Sequence, residues 1–416
     1  MATIKNITAR EILDARGVPT LEAKVVLANG LSATASVPSG AVSAQYGAVD
    51  LRDGDLKRYR GNGVLKAAGK VKEIIAPALI GQKINEQAKI DKILIELDGT
   101  KNKKNLGANS TLAVSMACAR AAALDNKQEL FAYLGQTFSF STPKIPTPLF
   151  NIFNGGKHAD TNLDFQEFLI IPKAENIAEM VRQGAEICYE LGQVLRESGY
   201  DTDTGELGGY APDLDSTIEA LELIMAAAVR AGYKPGENVH LGIDIGSSVL
   251  YDKEQGKYIF PLDQAFFSSA SLVGLYNEWL KKYPIVYLED GLAEDDWATW
   301  RELTAELGKK IMIAGDELFK TSSDRLRQGL KEKAANTILI KPNQAGTLTE
   351  TVECVKLAQK HGYRVVVSQR SGETTDDFLA DLAVACGADY LKAGSLNRGE
   401  RLAKYNRLLA IAEIIK

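Results

Sequence analysis

The stretch from Ile285 to Ser395 repeats one pattern: a short apolar run, a polar residue at its end, then a loop and a helical segment. The runs are IVYLED (Glu289, Asp290), IMIAGDE (Asp316, Glu317), TILIKPN (Lys341), RVVVSQR (Gln369, Arg370) and DYLKAGS (Lys392). They recur roughly every 25 residues, the length of one strand–helix unit in a parallel α/β barrel. Consecutive units of this kind cross over right-handedly and close naturally into a barrel. A doubly wound open sheet is the competing architecture, but no glycine fingerprint follows a first strand and the number of units favours the barrel. Each run ends in a residue that is costly to bury alone, so the ends should converge on one polar site.

At 416 residues the chain exceeds what one hydrophobic core usually supports, and two domains are expected. TIKNIT and LEAKVVLA alternate like half-buried strands, and Asn29-Gly30 reads as a hairpin turn into LSATASV. VPSGAVSAQYGAV carries no strong period and reads as a lid candidate. Apolar residues return at helical spacing over 65–79, 90–97 and 110–124. The stiff connector TPKIPTP then separates an α+β domain, residues 1–138, from an α/β barrel, residues 139–416. PLFNIFNG and FQEFLIIP read as adjacent strands, with helices over 176–198 and 217–231 before VHLGIDIGSS.

A net charge of −5 argues against a nucleic-acid or anionic-membrane partner. The four cysteines are scattered without a CxxC pair, which fits buried thiols in a reducing compartment. The first residues lack the apolar core of a signal peptide, and no segment is long enough to span a bilayer. A cytoplasmic globular enzyme is the expectation.

Asp244, Glu289 and Asp316 end three successive apolar strands, so a barrel would bring them to one mouth. Carboxylates held together raise each other's pKa unless a cation neutralises them, and an all-oxygen set suits Mg²⁺ best, then Mn²⁺. Lys341 and Lys392 end strands on the same rim, where a neighbouring cation lowers a lysine's pKa toward the range of a base. Simple ion pairing between these lysines and acids is the structural alternative. Arg370-Ser371-Gly372 offers a guanidinium fork, a hydroxyl and backbone amides, a good anion cradle. Metal, base and anion cradle together suit removal of a proton from the carbon beside a carboxylate. His158 and Glu167 flank the same mouth, whereas His240 and His361 read as surface or structural residues.

VPSGA, LELDGT, LGANSTLAVSMACARAAA, FNGGKHADTNLDFQEF, YPIVYLEDGLAEDDW, LIKPNQAGTLTET, RSGETTDD and RGERLAKYN run the length of the chain, which resembles the enolase (phosphopyruvate hydratase) family throughout. The resemblance implies an N-terminal α+β domain and a modified (β/α)8 TIM-like barrel with an early antiparallel pair. It implies that Asp244, Glu289 and Asp316 hold Mg²⁺, that Lys341 is the base, and that Lys392 meets the substrate carboxylate and the metal. Arg370 and Ser371 would bind phosphate, His158 and Gln166 would line the substrate, and Glu167 would support the acid. Ser39 of VPSGA would also face the substrate. The substrate class is a small phosphorylated or phosphonylated carboxylic acid such as 2-phosphoglycerate or phosphoenolpyruvate, and the expected assembly is a homodimer.

The chain also departs from that pattern. Where the family's lid reads PSGASTG, this chain has PSGAVSA, with Val42 in place of a serine and Ser43 beside it. The family's GDEGG, which supplies the proton donor, is GELGG, with Leu207 at the acid position and Glu206 one residue earlier. Gln369 replaces the histidine of SHRSG, Val249 the acid of ASEF, and Ala410 an arginine expected to pair with Glu22. Leucine has no proton to donate, so the resemblance implies an intact base half and an altered acid half. Four readings follow: enolate chemistry with a changed second step; ordinary hydratase activity with Glu206 or water as acid; an activity like carboxyphosphonoenolpyruvate synthase; or a non-catalytic scaffold.

Overall fold

A computed structural model describes residues 2–40 and 46–415. Val42 and Ser43, and with them the centre of the proposed lid, lie outside the described residues. The chain opens with β1 (Ile4–Leu13), β2 (Pro19–Leu27) and β3 (Ser32–Ser36), an antiparallel meander in the order β1-β2-β3. Buried residues alternate along β2 and β3 as the sequence pattern required. The expected helix over 65–79 is α-helical at both ends, with a π-helical stretch, Val71–Ile75, in its middle.

The helix Ala108–Asp125 is buried almost all round, because it is wedged between this sheet and the second half of the chain. Its small polar residues are what make that possible: Thr111 Oγ1 donates to Gly346 O at 2.8 Å, and Ser115 Oγ accepts from Leu348 N at 3.1 Å. Arg120 pairs with Asp376 at 2.7 Å and Asp377 at 2.6 Å. The sheet is thereby tied to the loops that carry the site.

The second half is a closed eight-stranded barrel. Its order is β4 (Thr147–Asn154), β5 (Glu167–Pro172), β6 (Val239–Asp244), β10 (Ile285–Glu289), β11 (Met312–Gly315), β12 (Thr337–Ile340), β13 (Arg364–Ser368) and β14 (Tyr390–Lys392). β5 runs antiparallel to both neighbours and the remaining pairs are parallel. A small sheet of β7 (Tyr251–Asp252), β8 (Lys257–Phe260) and β9 (Ala265–Phe267) interrupts the rhythm; its strands are too short to leave a period.

Crossover helices begin where a side chain can cap them. Asn176, Ser216 and Thr347 accept from the amides of Glu179, Glu219 and Glu350, each three residues on. Inside the barrel, Leu149, Leu169, Ile171, Tyr287, Met312, Ala314, Leu339 and Val366 form a separate apolar plug. All four cysteines are free and buried. No described helix is long and apolar enough to cross a membrane.

Candidate active site

The plug determines which side chains reach the mouth. Strand side chains alternate with period two, so the residue two beyond an inward apolar one also points inward. Tyr287 is thus followed by Glu289, Ala314 by Asp316, Leu339 by Lys341 and Tyr390 by Lys392. Glu167 obeys the same rule in reverse. It precedes Leu169 on an antiparallel strand, so the start of β5 lies at the mouth, paired with Asp244.

Lys392 Nζ lies 2.8 Å from Asp244, 2.8 Å from Glu289 and 2.9 Å from Glu167, all buried. Burial works against its ammonium, but these three carboxylates outweigh it and raise its pKa well above the usual lysine value. The lowered pKa expected for a rim lysine is therefore not found at Lys392. Burial, then the nearby Asp244, pushes the Glu289 carboxyl up to about 7; burial also raises Asp244. Asp316 is different. Burial opposes its ionisation, but a hydrogen-bonded Lys341 ammonium overrides it and holds the carboxyl at about 2.

The acidic oxygens of Asp244, Glu289 and Asp290 come within 4.8 Å of one another, and this set can hold a metal ion. Asp316, the third ligand expected from the sequence, is instead engaged by Lys341 and by Gln344 Nε2 at 3.2 Å. Asp290 sits at φ 44, a strained backbone for a non-glycine residue, and accepts from the amides of Asp316 at 3.0 Å and Glu317 at 2.9 Å. A divalent cation fits these groups. Asp244 Oδ1, Glu289 Oε1 and Glu167 Oε2 are buried acceptors with no hydrogen-bond partner, and hard oxygen donors are what Mg²⁺ takes.

Across the mouth, Arg370 and Ser371 are held through their backbone. The buried Arg401 donates to Arg370 O at 2.7 Å, Ser371 O at 2.7 Å, Gln369 Oε1 at 2.6 Å and Glu206 O at 3.1 Å. Lys404, one helical turn later, pairs with Glu373 at 2.9 Å, and Glu373 accepts from Arg370 N at 3.2 Å. The positive charge of Arg370 also helps to keep Asp316 ionised. Ser39 reaches the turn from the first domain, its amide donating to Gly372 O at 2.9 Å. The helix that carries RGERLAKYN thus positions the turn, a role that its sequence alone does not mark.

Beside this turn, His158 ends a short 3₁₀ turn, and its carbonyl accepts from Glu206 N at 2.8 Å. Gly205 is required here, because a Cβ would lie 2.6 Å from Asn154 and 2.7 Å from His158 O. Glu206 Oε2 stands 3.8 Å from both His158 Nδ1 and Arg16 Nη1. Leu207 is 2% exposed yet belongs to neither apolar cluster of the core. The Gln166 amide rests against Gly246, where a Cβ would come within 2.2 Å of Nε2. Gln369 is buried, its Oε1 bound to Arg401 and its Nε2 without a partner. Val249 is 45% exposed at the end of a 3₁₀ turn.

A barrel whose mouth gathers carboxylates, two lysines and an arginine–serine turn is a site that could hold a cation beside titratable side chains. The enolase N-terminal domain matches residues 4–134, and the enolase C-terminal TIM barrel domain matches residues 142–416. The chain belongs to the enolase family.

Proposed function

We propose that this is a Mg²⁺-dependent enzyme that forms, or binds, the enolate of a small phosphorylated carboxylic acid, with the usual dehydration step replaced or weakened. One observation carries the reading: Lys341 and the carboxylate–Lys392 cluster share the barrel mouth, while a buried leucine stands at the acid position. Asp244 and Glu289 would hold the cation with Asp316 or Asp290, and bound Mg²⁺ would supply positive charge for the carboxylate that becomes the enolate. Lys341 takes the proton from C2, Lys392 orients the substrate carboxylate, and Arg370, Ser371 and Ser39 bind the phosphoryl group. Gln166 and Gln369 contact the substrate, and His158 and Glu167 complete the wall on the leaving-group side. Without a donor for a departing hydroxide, the second step loses roughly 10²–10⁴ in rate. An activity resembling that of carboxyphosphonoenolpyruvate synthase is compatible with the same base and anion cradle.

Ordinary phosphopyruvate hydratase activity is the second reading. The closeness of Glu206 to His158 favours it, since a carboxyl and an imidazole do meet on that side. A scaffold role is disfavoured, because taking ions out of water costs several kcal/mol each before pairing and no packing demand calls for this cluster. We assign the protein to the cytoplasm as a homodimer. Glu22 is bonded to Arg10 at 2.8 Å and Ser36 at 3.1 Å of its own chain, so the contact between copies would use other partners. The test uses Mg²⁺ and 2-phosphoglycerate in D₂O, following deuterium at C2 and phosphoenolpyruvate together. Exchange that outruns product supports the first reading, product at the rate of exchange supports the second, and neither signal removes both for this substrate.

A further inference from the structure

We propose that Arg16 is a further ligand of the substrate's phosphoryl or phosphonyl group, and that Glu206 is its displaceable counter-ion. Arg16 lies in the β1–β2 turn, far from the barrel in sequence. Asp14 Oδ1 accepts from Arg16 N at 2.8 Å and Val18 N at 2.9 Å, which fixes the turn. Ala15 N donates to Glu373 O at 2.8 Å, which docks the turn on the arginine–serine loop. The guanidinium is thereby delivered to the cradle: Nη2 donates to Ser39 Oγ at 2.8 Å and Nη1 to Ser371 Oγ at 3.3 Å.

An arginine bonded to both cradle hydroxyls is within reach of any anion those hydroxyls bind, and a planar fork suits tetrahedral oxyanions. Its two acidic neighbours differ. The Asp14 side chain is fully buried and committed to Ser39 and the turn amides. Glu206 is 36% exposed, stands 3.8 Å away and has only His158 besides. An exposed pair at that separation is worth little, so an incoming dianion displaces it readily. The proposal rests on reading the Arg370–Ser371 turn as the phosphoryl site, but it does not depend on any turnover.

The test is calorimetric binding of inorganic phosphate, with Mg²⁺ present, to the full chain and three variants. Arg16→Gln should weaken binding about tenfold or more, the size of a lost charge-assisted contact. Arg16→Lys, which keeps the charge but not the fork, should fall between. Glu206→Gln should tighten binding several-fold, because it removes the competing carboxylate. That opposite sign separates ligation from a structural role, and Glu206 lies on the surface, where substitution spares the fold. Unchanged affinity in Arg16→Gln, weakened affinity in Glu206→Gln, or no phosphate binding by the wild-type chain would each overturn the proposal. Phosphate binding that responds as stated, with no C2 exchange, would leave this inference standing and remove only the enolate reading.

Discussion

Lys341 and Lys392 end equivalent strands, yet their surroundings differ. Lys392 is locked among three carboxylates, a setting for a permanent cation, whereas Lys341 faces a single one, Asp316. Lys341→Ala should therefore reduce C2 deuterium exchange by at least about 10²-fold, read by NMR of 2-phosphoglycerate in D₂O. The third metal ligand is separable at the same scale. If Asp316 holds the cation, Asp316→Asn weakens Mg²⁺ binding more than Asp290→Asn does, and the reverse order assigns Asp290.

Glu289 supplies a pH test. Its folded pKa of about 7 lies above the ordinary glutamate value of 4.5, so in the metal-free protein it favours folding below pH 4.5 and loses that contribution as pH rises through 7. Glu289→Gln should thus gain thermal stability relative to wild type above pH 7 and show no such gain near pH 4.5. Asp316, held at about 2, acts in the opposite direction and only below about pH 4, outside that window. Mg²⁺ affinity of the wild type should rise with pH through 7 as the Glu289 proton leaves.

At the level of elements, the strand ends were legible because period-two alternation leaves no choice once the plug is apolar. Glu167 was legible as a neighbour of the mouth, although its place at the start of an antiparallel strand is visible only in the pairing. What stayed hidden was what acts at a distance along the chain. Arg16 meets Ser371 across 355 residues, and no local pattern marks a turn arginine as part of a barrel mouth. Asp290 follows the strand's inward residue, and its place beside Asp244 and Glu289 goes with a left-handed backbone that the sequence does not mark. The helix carrying Arg401 and Lys404 belongs with these. Arg401→Met removes the donor shared by Arg370 O, Ser371 O and Glu206 O, and should lower both the melting temperature and phosphate affinity. A loss of stability with unchanged phosphate binding would separate that helix from the site.

Across the whole molecule, the first domain completes the second: Ser39 and Arg16 come from the meander side, while the proposed metal and base groups come from the barrel. Coupling of this kind predicts that Mg²⁺ raises the unfolding temperature of the full chain as a unit and that a chelator reverses it, by mass action on the folded state. The fold and the gathering of the strand-end residues at one mouth were readable because they rest on repeated units. The proposed second step was not, because it turns on one loop, Gly205 to Gly209, that no repeat constrains. The most direct measurement is the ratio of C2 exchange to phosphoenolpyruvate formation, taken in parallel for the wild type and Leu207→Glu with Mg²⁺ and 2-phosphoglycerate in D₂O. The ratio should be high in the wild type and fall when the acid is restored. A wild-type ratio near one, unchanged by Leu207→Glu, would contradict the proposed function.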